Sequence, residues 1–145
     1  LLDQEPHQGI HAFIKDMNKL YLENDALYYN DNDVMGFEWM DCERAETSTV
    51  AFVRRGKTTK KQLMFILNFT PVAHEQYTVK APCGGTFREI LNSDAPKYGG
   101  RGRLNESPIK AKKVTTDKKK KEAAYELTCY LPPLSVVVLE YDYKK

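Results

Sequence analysis

With 145 residues, 41% hydrophobic and 29% charged, the chain has material for one domain with a real core and too little for two. A formal net charge of +2 excludes a whole-surface field for nucleic acid or anionic membrane, so any electrostatic role is local. Three widely spaced cysteines, Cys42, Cys83 and Cys129, exclude a fully paired disulfide framework and a CxxC metal site.

Reduced thiols in a cytoplasmic protein are the expectation that follows. No apolar run approaches the roughly 20 residues needed to span a bilayer, and SVVVL is only strand-sized, so no membrane partner is expected. The opening LLDQEPHQ has neither the basic start nor the apolar centre of a signal peptide, and no initiating Met, which suggests a piece of something longer.

From Gln8 to Asn24, the residues Ile10, Phe13, Ile14, Met17, Leu20 and Tyr21 recur at three- and four-residue spacing, the stripe of an amphipathic helix. Such a stripe needs a surface to lie on. The period then changes. Runs rich in β-branched and aromatic residues predict seven strands, at 36–40, 49–54, 62–69, 76–79, 86–91, 124–131 and 135–141. LMFILNF is nearly continuous in apolar character, as a strand covered on both faces would be, and is expected at the centre of a sheet. RRGKTTKKQ and PCGG read as turns with Gly at positions of positive φ.

Leu91 to Lys121 reads as a long irregular connection, its Gly-rich half ordered and its Lys-rich half mobile. Seven lysines fall between Lys110 and Lys121, opposed within that stretch only by Asp117. Pro132 and Pro133 cannot donate ladder hydrogen bonds and mark a break, from which a closing hairpin of the last two strands is expected. The pattern predicts an all-β fold, an antiparallel β-sandwich preceded by one α-helix.

GFEWMD, 36–41, holds the only tryptophan, with Glu38 and Asp41 beside it and Asp31 and Asp33 upstream. Acid/base hydrolysis of a glycosidic bond uses two carboxylic acids about 5 to 10 Å apart across the sugar. In a regular strand Glu38 and Trp39 face opposite ways and Asp41 shares the side of Trp39, so the acids do not converge and no catalytic pair is expected. Trp39 is either an anchor in the core or a sugar-stacking platform, since the CH face of a pyranose lies well on an aromatic ring.

His7 and His11 stand at i, i+4 on the helix, but HQGIH lacks a HEXXH glutamate and His74 is far away in sequence, so no metal is expected. YGGRG lacks the Lys-Ser/Thr ending of a phosphate-binding loop. The lysine run has no interleaved aromatics, which argues against a nucleic-acid partner.

Taken in order, HQGIHAFIKDMNKLY, GFEWMD, FVRRG, LNFTPV, EILNSDAPKYGGRG and LPPLSVVVLE resemble the C-terminal region of glycogen branching enzymes of the α-amylase superfamily. NFTPV followed by LNSDAPKYGG is the most specific part. The resemblance implies a parent that cuts an α-1,4-glucan and transfers the piece to a 6-hydroxyl, forming an α-1,6 branch through a covalent glucosyl-enzyme. Its Asp, Glu and Asp catalytic residues lie in a (β/α)8 barrel upstream, and no position here matches them.

On this resemblance residues 1–24 are the last helix of a truncated barrel and residues 25–145 the C-terminal sandwich. The implied partners are the barrel and α-1,4-glucan or glycogen, with no cofactor. The candidate glucan-binding residues are Trp39, Phe37 and Tyr98, and the piece alone is expected to be inactive. The lysines of 110–121 carry no family role. A stand-alone sandwich that binds a carbohydrate or protein partner is the second reading.

Overall fold

The structure is a computed structural model and describes residues 2–58, 60–114 and 124–143. One helix, α1 (Glu5–Glu23), precedes eight strands: β1 (Phe37–Asp41), β2 (Thr49–Arg54), β3 (Gln62–Asn68), β4 (His74–Ala81), β5 (Gly85–Asn92), β6 (Ile109–Val114), β7 (Ala124–Leu131) and β8 (Ser135–Tyr141). The helix starts before Gln8 because Pro6 lies in its first turn, where a fixed φ suits the helix and the missing N–H costs nothing.

The strands run in the order β1-β2-β3-β8-β5-β6-β7-β4, and their pairings are antiparallel. The first five form one layer; β7 and β4 form the other. β6 belongs to both, because its first half pairs with β5 and its second half, from Lys112 to Val114, pairs with β7. Between the layers lies the main core, with Val53, Met64, Ile66, Phe87, Leu127 and Leu139 among its buried members.

β3 behaves as its sequence requires. Met64 and Ile66 enter the core, while Leu63 and Phe65 face outward and are buried as well. What covers them is α1, whose Phe13, Met17 and Leu20 pack against Leu63, Phe65, Leu91 and Val138. The helix stripe thus finds its surface on the outer face of the five-strand layer, although Ile10, Ile14 and Tyr21 stay exposed.

At Gly9 the helix meets the backbone of the turn after β5, and a Cβ there would stand 2.5 Å from the Tyr98 carbonyl oxygen. A short 3-10 turn, Pro96–Tyr98, presents that residue and ends on Gly99 at φ 88, a left-handed conformation that favours glycine.

Three expectations change. Within Leu91–Lys121 the structure adds an eighth strand, β6, because IKAKKV alternates Ile109 and Ala111 against the core with lysines outside, a pattern its charge conceals. Residues 115–123 lie outside the described residues, and with them most of the expected lysine-rich half. β7 and β8 do not form a hairpin: β7 pairs with β4 and β6, and β8 with β3 and β5, so Pro132 and Pro133 carry the chain from one layer to the other. Gly56 is held by close approach to Asp25 and not by a positive φ, whereas Gly85 in the PCGG turn has φ 126.

Candidate functional site

β1 is an edge strand whose outward side chains are decided by its register with β2. Phe37 lies opposite Arg54 and Trp39 opposite Phe52. The rings meet in a row: Phe37 edge-on to Trp39 at 4.9 Å, Phe37 stacked on Phe52 at 5.2 Å, and Phe52 stacked on Phe65 at 5.0 Å. Phe65 is buried beneath the helix, whereas Trp39 at the far end is 51% exposed. Aromatic pairing of this kind fixes ring orientation and contributes about 0.5–1.5 kcal/mol per pair beyond burial. The ring of Trp39 is therefore supported from behind and open in front.

A bulge at Met40 corrects the expected geometry of the acids. Trp39 pairs with Phe52 but Asp41 with Ala51, so one residue of β1 is left over. Asp41 consequently turns toward the core side, its side chain 11% exposed, and does not share the side of Trp39. It faces Arg44 Nε at 2.6 Å and the Tyr77 hydroxyl at 3.4 Å. Glu38, opposite Val53, lies on that same side after all, yet it is bound to the Arg55 guanidinium.

The upstream acids are engaged too. Asp31 accepts from Arg54 Nη2 at 2.7 Å, and Asp33 caps the 3-10 turn Val34–Gly36 by accepting from the Met35 N–H at 2.8 Å. Each of these four acids has a structural partner in an arginine or a backbone N–H. Arg44, Arg55 and Phe52, which complete this arrangement, went unassigned in the sequence. Alternation in TVAFVR is the one signal that points Phe52 outward with Arg54.

Tyr98 lies elsewhere. It follows β5, the fifth strand in the order, and its ring meets Phe13 of α1 edge-on at 5.2 Å. Its hydroxyl donates to Asp16 at 2.6 Å, and Lys97 donates to the same carboxylate at 2.7 Å. Hydrogen bonds from Lys97 and then Tyr98 hold the Asp16 carboxyl below its ordinary range. The groove beside this clasp, about 340 Å³ and bounded by Asp16, Lys97, Tyr98 and Glu140, runs along the margin between α1 and the sheet. The structure therefore brings Phe37 and Trp39 together and gives Tyr98 a place in holding the helix.

No disulfide joins the cysteines: Cys42 is exposed, and Cys83 and Cys129 are buried. Burial pushes the Cys129 thiol up to about 12. Among the described residues no group of three or more His, Cys, Asp or Glu side chains could hold a metal ion, and no helix is long and apolar enough to cross a membrane.

An antiparallel two-layer sandwich with an aromatic edge defines an all-β module, and the chain belongs to the alpha amylase C-terminal all-beta domain family, which it matches over residues 39–142. Along its full length it is 41% identical to the 1,4-alpha-glucan branching enzyme GlgB of Prochlorococcus marinus (strain MIT 9515), covering 19% of that relative. It is 40% identical to the enzyme of the same name from Synechococcus sp. (strain CC9311) over 18% of that protein. Over 97% of the chain it is 42% identical to the Synechococcus elongatus (strain ATCC 33912 / PCC 7942 / FACHB-805) enzyme, again 18% of the relative. The chain thus spans about a fifth of the length of these relatives, and it is a C-terminal domain of the kind that GlgB-like branching enzymes carry.

Proposed function

We propose that this chain is the non-catalytic C-terminal portion of a cytoplasmic 1,4-α-glucan branching enzyme, and that it holds an α-1,4-glucan strand on the Phe37–Trp39 rings while an upstream barrel performs the transfer. Residues 1–24 are the last helix of that barrel and residues 25–145 the sandwich that supports it. The observation that carries the binding reading is the half-exposed ring of Trp39, backed by Phe37 and Phe52 and free of any core requirement. A pyranose ring stacked there would bury its CH face while its hydroxyls remain in water. Tyr98 contributes by fixing the helix, since its hydroxyl is engaged by Asp16.

Because Trp39 is the only tryptophan, fluorescence reads this site directly. Iodide is expected to quench the emission, and maltoheptaose to shift it and protect it. A blue-shifted, unquenched Trp would leave only the supporting role. Incubated with amylose, the 145-residue chain is expected to produce no α-1,6 linkages, and their appearance would refute the non-catalytic reading.

A further inference from the structure

We propose that the platform extends past Arg54 onto Tyr28 and Tyr21, so that one α-1,4-glucan chain lies across both aromatic pairs; this rests on the glucan reading of Trp39 given above. Phe37 stands opposite Arg54 on the outer face. Arg54 Nη2 donates to the Leu27 carbonyl at 3.2 Å and to Asp31 at 2.7 Å, which ties residues 27–31 to that face beside Phe37. Asn30 Nδ2 donates to the Arg55 carbonyl at 3.2 Å and fixes the same segment from its other side.

What the segment then presents to solvent is Tyr28, 45% exposed, its ring 5.6 Å from that of Tyr21, itself 50% exposed. Neither ring is required by the helix contact, which Phe13, Met17 and Leu20 already supply. Rings that are half open, backed by one another and carrying hydroxyls suit a sugar: the CH faces stack and the hydroxyl groups find partners. Asp31, Asn32 and Asp33, all exposed in the same segment, add short polar groups. Those same groups would have to be stripped of water against an apolar protein face, which makes a glucan the better occupant. The order along the surface is then Trp39, Phe37, the Arg54–Asp31 pair, Tyr28 and Tyr21.

Titration calorimetry on the 145-residue chain with maltotriose and with maltoheptaose tests this. The proposal requires maltotriose to fill the Trp39 pair alone and maltoheptaose to span both pairs. W39A is expected to weaken both sugars. Y28A and Y21A are expected to weaken maltoheptaose about three- to tenfold, the size of one aromatic contact, and to leave maltotriose unchanged.

Loss with W39A but none with either tyrosine variant would overturn the extension and leave the Trp39 reading intact. Loss with the tyrosine variants but none with W39A would overturn both, as would wild-type protein that binds neither sugar. A melting temperature that falls in Y28A and Y21A while maltoheptaose affinity stays at the wild-type value would mark the pair as a structural closure of the helix end and overturn the proposal.

Discussion

Arg44 and Arg55 decide what the acids of β1 do. Asp41 is nearly buried and its charge is met by Arg44, so R44A leaves a carboxylate short of its main partner and should cost about 1–3 kcal/mol in denaturant unfolding. Glu38 is 44% exposed in its side chain, and E38Q should cost less than about 1 kcal/mol, as surface ion pairs do. The reverse ranking would mean that Asp41 is not where the bulge puts it. That bulge was not legible in GFEWMD: alternation puts Asp41 beside Trp39, and the extra residue at Met40 shows only once β1 is paired with β2. The exposure of Trp39 was equally open, because a Trp in the middle of a sheet and one on its edge have the same local sequence. With Cys129 raised to about 12 by burial and Cys83 also buried, a thiol reagent should label one cysteine, Cys42, in the native chain and three after denaturation.

Helix α1 is held by an apolar stripe and by a polar clasp of Asp16, Lys97 and Tyr98. Donors that favour the ionised carboxyl depress Asp16 in the folded state, so its contribution is complete above the unfolded value of about 3.9 and is lost as pH falls through the lower folded value. The difference in melting temperature between wild type and D16N should therefore be present at neutral pH, shrink below about pH 4 and close in stronger acid; a difference that persists there would assign the clasp no electrostatic part. The helix was readable from its 3.6 period and β3 from its unbroken apolar run. β6 was hidden because four of the six residues in IKAKKV are lysine or alanine, and only Ile109 and Ala111 pack on the core. The partner of α1 was not readable either, since the period states that a stripe is buried and does not state against what.

Across the whole molecule, the two-layer antiparallel fold followed from strand spacing, and its kinship from motif order, but the connection at Pro132–Pro133 did not. Proline marks a break in pairing and is silent on whether the chain folds back or crosses over. The layers share one core, so Phe87→Ala, at a fully buried position between them, should cost about 3–5 kcal/mol in a single cooperative transition rather than loosen one layer. The crossing has a consequence for the order in which the domain can be made. β8 is flanked by β3, which meets it through seven residue pairs, and by β5, yet it follows both in the chain. Until β8 is synthesised, β3 and β5 each expose an unpaired edge, and the β1-β2-β3 meander is joined to the rest by no strand pairing. Its contacts are distant in sequence, so its arrival should be the slow step of folding, and a chaperone that recognises apolar strand edges would find its substrate in nascent chains that stop short of Ser135.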